Sequence, residues 1–165
     1  MATSSLTRVC FGSRGLSRAM NTISALPRDV SDVHPPFANY SHGVIVPPGK
    51  RLLFLSGQLG ITADQHVPED AEEQAGVIFG AIKRLLAEGG MKPHDVVRIN
   101  AFVTDREYLT PYMTARDRFL SSSTADGDAG SGDSVIPPAS TLVIVSGFSR
   151  PEFKVEVEIV AAQDP

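Results

Sequence analysis

The stretch Ile136–Ala161, IPPASTLVIVSGFSRPEFKVEVEIVA, decides the fold. It reads as two strands joined by a tight connection. Thr141–Val145 is a run of β-branched residues and Leu, suited to a strand buried on both faces. Ser146-Gly147 and Arg150-Pro151 supply turn chemistry. From Phe153 to Val160 the chain alternates, with Phe153, Val155, Val157 and Ile159 on one face and Lys154, Glu156 and Glu158 on the other. Pro137-Pro138 keeps the entry extended, since a residue before proline avoids the helical region. A strand row carrying Glu156 and Glu158 away from a core is either a solvated face or the wall of a site.

Working outward, Val96–Thr104 alternates in the same way, Val97, Ile99, Ala101 and Val103 against Arg98, Asn100, Phe102 and Thr104, and predicts another strand. Between it and the terminal pair lie a second helix, Asp105–Leu120, with Tyr108, Tyr112, Ala115 and Phe119 on one face, and the Ser/Gly/Asp-rich stretch Ser121–Ser134, read as a mobile surface loop. Upstream, Asp70–Glu88 predicts the clearest helix. Asp70 caps it, Glu72 and Glu73 sit where the helix dipole favours them, and Gly89-Gly90 stops it. Val77, Ile78, Ala81, Ile82 and Leu85 are its expected core face. Ser41–Val46 and Arg51–Ser56, separated by Pro47-Pro48-Gly49-Lys50, predict a hairpin, followed by Gly57-Gln58-Leu59-Gly60. The order ββαβαββ implies an α/β (α+β) domain with a mixed sheet and both helices on one face. The other face then lacks a cover, and oligomerisation is the natural remedy.

Composition bounds the function. The 165 residues are 42% hydrophobic with a net charge of −4, enough for one core and without the basic footprint of a nucleic-acid binder. No apolar run approaches the roughly 18 residues of a membrane span. A single cysteine, Cys10, excludes an internal disulfide. The four histidines, at 34, 42, 66 and 94, are scattered, so neither a metal nor a cofactor is expected. Met1–Met20 carries Arg8, Arg14, Arg18, four serines and no acidic residue. That is the composition of a mitochondrial or plastid presequence, with a mitochondrial location expected; a disordered tail on a cytoplasmic protein is the alternative. Asn21–Phe37, with three prolines, reads as a connecting arm before a domain that begins near Asn39.

Five short motifs in order, Phe54-Leu55-Ser56-Gly57-Gln58, Glu73-Gln74, Ala101-Phe102-Val103-Thr104-Asp105, Pro138-Ala139-Ser140-Thr141 and Val155-Glu156-Val157-Glu158, resemble the Rid (reactive intermediate deaminase, YjgF) family. The resemblance implies a chorismate-mutase-like fold (bacillus type), a homotrimer, and ligand clefts between subunits where imines and enamines of amino acids are hydrolysed to keto acids. An older label of the family is endoribonuclease. The resemblance assigns Glu156 and Ser56 as catalytic and Tyr40, Gly57, Ala139, Thr141 and Met113 as ligand-binding. A small imino acid needs hydrogen-bond donors, a placed water and an acid or base near the imine, which Tyr40, Ser56 and Glu156 can supply. One departure stands out. The active deaminases carry arginine at the position of Ala139, and its guanidinium binds the substrate carboxylate. Met113 and Thr141 stand where some members have asparagine and cysteine. Arg116, Arg150 and His42 are candidates for a replacement cation. Two readings follow: a hydrolase of an imine-like metabolite, or a non-catalytic trimer that binds a metabolite or a protein. RNA cleavage is a third, which the acidic charge disfavours.

Overall fold

The structure is a computed structural model that describes residues 22–122 and 136–165. The expected presequence and, from residue 123 on, the expected loop lie outside the described residues. Six strands and two α-helices are present among the described residues: β1 (Ser24–Ala25), β2 (Val44–Ile45), β3 (Arg51–Leu59), α1 (Ala71–Glu88), β4 (Val96–Val103), α2 (Leu109–Ser121), β5 (Ala139–Ile144) and β6 (Val155–Gln163). The main sheet has the order β3-β6-β4-β5. β6 is antiparallel to both of its neighbours, and β4 and β5 are parallel.

That order corrects two expectations. β5 and β6, consecutive in sequence, are not neighbours, because β4 lies between them. A parallel β4–β5 pair requires a crossover of a dozen residues or more, and α2 is part of it. β5 is therefore an edge strand, and Val143 is 41% exposed instead of buried on both faces. The expected hairpin is also absent. β2 pairs with β1, a strand inside the proline-rich arm, while β3 pairs with β6. Pro47-Pro48, one residue beyond β2, removes two ladder donors, which suits a strand this short.

The alternation in β4 and β6 holds. Ile99, Ala101, Val103, Val155, Val157 and Ile159 are buried in one core beneath the helices. α1 is capped as its sequence predicts, the Asp70 carboxylate accepting from the Glu73 amide at 2.9 Å. Its buried face is Ala71, Ala75, Ile78, Phe79, Ile82 and Leu86, rotated from the expected one; Leu85 is exposed. Apolar residues at 77, 78, 79, 82, 85 and 86 spread over about 200° of the helix, wider than one buried face, and tertiary packing selects among them.

Gln74 is the polar exception in this core. Its side-chain amide donates to the carbonyls of Pro68 (2.7 Å) and Glu152 (2.9 Å) and accepts from the Lys154 amide (2.9 Å). It thereby fixes the start of β6 to α1 and satisfies backbone groups that burial would otherwise leave unpaired. Gly60 packs directly on it: a methyl group at residue 60 would meet Gln74 Cβ at 2.5 Å and its Cα at 2.9 Å. Gly60→Ala is therefore expected to push α1 off the sheet at a cost of about 1–3 kcal/mol. Thermal denaturation should show it as a fall in melting temperature of roughly 2–10 °C.

Candidate functional site

Directly paired residues in a sheet point to the same face, so the register reads out what lies on the side without helices. β4 places Arg98, Asn100 and Phe102 there. β5 faces them with Ala139, Thr141 and Val143. β6 places Glu156 opposite Phe102 and Glu158 opposite Asn100. On β3, Leu52 and Phe54 point the same way, and Phe54 is 68% exposed. The face is thus a polar centre framed by apolar side chains.

The polar centre is one hydrogen-bonded chain across three strands. Arg98 Nη2 donates to Thr141 Oγ1 at 2.6 Å, and Arg98 Nε donates to Asn100 Oδ1 at 2.8 Å. Asn100 Nδ2 in turn donates to Glu158 Oε1 at 2.7 Å.

Glu156 is placed by β3. The β3–β6 register shifts between Leu55 and Gln58, a bulge centred on Ser56-Gly57. The Gln58 side-chain amide turns back onto the Ser56 carbonyl (3.0 Å) and the Gly57 carbonyl (3.4 Å). The bulge brings Gly57 against the Glu156 carboxyl group, which occupies the space a side chain at residue 57 would need: a methyl there would stand 2.7 Å from Glu156 Cδ.

Tyr40 approaches from beyond the β5 edge. Ser41 adds a parallel rung beside Ala139, its amide donating to the Pro138 carbonyl (3.0 Å) and its hydroxyl to the Pro137 carbonyl (2.6 Å). Tyr40 makes edge-to-face contacts with Phe37 and His42, and His42 Nε2 is buried without a hydrogen-bond partner among the described residues. The structure therefore gathers Ser56, Gly57, Glu156, Ala139 and Thr141 on one sheet face and sets Tyr40 at its border. Met113 stands apart, packed on the core from α2.

Two of the suggested replacement cations are elsewhere. Arg116 is buried on α2, bonded to Asp117 (2.8 Å) and lying over the Tyr112 ring, whose burial pushes its phenol up to about 12. Arg150 is in the β5–β6 connection, bonded to Glu152 and over the Phe153 ring. The Glu152 backbone amide and Arg150 hold that carboxyl below its usual range. The cation on the open face is Arg98, which the sequence reading missed. Its only signal there was its place on the outward row of β4. Among the described residues, no group of three or more His, Cys, Asp or Glu is placed to hold a metal ion, and no helix is long and apolar enough to cross a membrane.

A family model described as Endoribonuclease L-PSP matches residues 31–163. The chain belongs to that family, the Rid (YjgF) family of the sequence resemblance. A RutC family protein from Aquifex aeolicus is 34% identical over 71 residues, 42% of this chain and 54% of that protein, so the match spans about half the relative's length. Among solved structures, the Rid-family protein YyfB from Yersinia pestis superposes with a TM-score of 0.68 at 22% identity, covering 86% of this chain and 98% of that one. E. coli TdcF with bound serine superposes at 0.60 and 20% identity, covering 83% and 94%. These neighbours share the chorismate-mutase-like fold.

Gly57 separates the fold from the site. Its neighbour is the end of a flexible side chain, so Gly57→Ala should cost no more than about 1 kcal/mol of stability while turning the Glu156 carboxyl away. Melting curves and a crystal structure of the variant check this; a Glu156 side chain unmoved in the variant would contradict it.

Proposed function

We propose that this Rid-family chain binds a small keto-acid, imine or enamine metabolite on its open sheet face, in clefts completed by neighbouring subunits of a homotrimer. The observation that carries the reading is the space held at Gly57 for the Glu156 carboxyl group. A carboxylate kept in place by a glycine, on a face that the described residues leave without a covering layer, suits a group that orients water or relays a proton. Ser56 and Tyr40 are the proposed hydrogen-bonding partners of the ligand. The uncovered Leu52, Phe54 and Val143 support assembly through this face. The serine bound by TdcF supports a ligand of amino-acid size.

Catalysis is the second half of the proposal. Ala139 offers no donor where the arginine-bearing deaminases bind the substrate carboxylate. Charge-assisted hydrogen bonds contribute about 1.5–3 kcal/mol each, so loss of a bidentate pair at that position lowers affinity there by roughly a hundredfold or more. The chain is therefore read as a binder with weak turnover of 2-aminoacrylate-type imino acids. A non-catalytic trimer is the second reading, favoured by the same alanine. The expected location is mitochondrial, on the composition of Met1–Met20.

The test is keto-acid release from imines generated in situ by an amino-acid oxidase, with light scattering alongside. The expected results are a trimer mass and release at least a hundredfold slower than by an arginine-bearing relative, rising in Ala139→Arg. A monomer at micromolar concentration, or native release equal to that of the relative, overturns the reading.

A further inference from the structure

We propose that Arg98 holds the ligand's carboxylate in this chain, the cation having moved from β5 to the directly paired position on β4. The inference rests on the binding site proposed above and names the chemistry of its ligand: a small monocarboxylate of keto-acid type, bound by a guanidinium over the β4–β5 pair.

Register carries it first. Arg98 is the cross-strand partner of Ala139, so the two side chains leave the same face of the sheet at adjacent points. A long side chain at 98 therefore serves the same part of the face as one at 139. Alanine at 139 is also what allows it. The Ala139 methyl group brings no polar atom of its own to compete for the guanidinium.

Charge carries it second. Arg116, Arg118 and Arg150 each bond a carboxylate. Arg98 has only neutral acceptors among the described residues, the Asn100 amide oxygen and the Thr141 hydroxyl. These use Nε and one N–H of Nη2 and fix the plane of the fork. The remaining guanidinium donors bond no carboxylate of the described residues. A guanidinium so held is oriented in advance, which lowers the entropy lost on binding an anion.

The nearby acids do not cancel it. Glu158 is the closest in the network, yet Asn100 stands between, accepting from Arg98 and donating to Glu158. Glu156 lies one rung further along, opposite Phe102. Among the described residues neither acid bonds the Arg98 guanidinium, whose donors not taken by Asn100 and Thr141 are left for a ligand carboxylate.

Calorimetric titration of the full-length protein with pyruvate and with its neutral analogue pyruvamide tests the inference. Native protein is expected to bind pyruvate at least tenfold more tightly than pyruvamide. Arg98→Gln, which keeps an amide near Asn100 and Thr141 but no charge, should lose tenfold or more for pyruvate and little for pyruvamide. Arg98→Gln combined with Ala139→Arg should regain the preference. Arg98→Lys, a variant that keeps the charge without the fork, should fall between, and melting curves certify that each variant is folded. Arg98→Gln binding pyruvate as native does overturns the inference and leaves the proposed site standing, as does a native protein that binds both compounds equally. A native protein that binds neither overturns the proposed site itself, and this inference with it.

Discussion

Everything in the main sheet hangs on the two-sided pairing of β6. Of the four strands it alone has an antiparallel partner on each side, so both the β3 and the β4 contributions to the open face are referred to it. Period-two alternation then ties two unlike tasks together. The row Val155, Val157, Ile159 closes the core, and the row Glu156, Glu158 supplies the carboxylates of the open face. A slip of one residue would bury two acids and expose three aliphatic side chains at once. Gln74 guards against that slip, because its amide grips the backbone at Glu152 and Lys154 just before the strand begins. A buried glutamine in a helix is thus a positioning device for a carboxylate on the far side of the sheet.

The role proposed for Arg98 amounts to re-equipping a sheet face without altering its backbone. Side chains on paired residues of adjacent strands share a neighbourhood, so a charge can change strands and still serve the same ligand. The cost falls on the neighbours. A guanidinium at the sheet centre has to be kept from pairing with the acids already there, and Asn100, able to accept on one side and donate on the other, keeps Arg98 and Glu158 in one network without direct contact. Thr141 completes the arrangement with a hydroxyl that accepts from Arg98.

Much of this was legible in the sequence. The alternation of β4 and β6, the Asp70 cap and the family motifs all identify elements by local rules, and local rules suffice there. What was not legible depends on which strands are neighbours. Thr141–Val145 looks like a central strand by composition, yet stands at an edge because β6 takes the place beside β4. β1 is two residues long, below the length at which periodicity exists. Arg98 was hidden for the same reason as the strand order. Facing Ala139 is a property of register, and nothing within either strand alone encodes it. Gly57, by contrast, was visible as a glycine beside a strand end, although its reason, room for Glu156, needs the bulge in β3.

The position of β6 also bears on how the chain is made. β3 and β4 are synthesised early and do not pair with each other in the finished sheet. Until residues 155–163 leave the ribosome, neither has its principal partner, and the aliphatic rows of both strands must wait uncovered while more than fifty further residues are added after β4. Sheets closed by a late, sequence-distant strand form slowly and expose unpaired edges meanwhile. The nascent chain therefore carries the unpaired edges of β3 and β4 until β6 has been added.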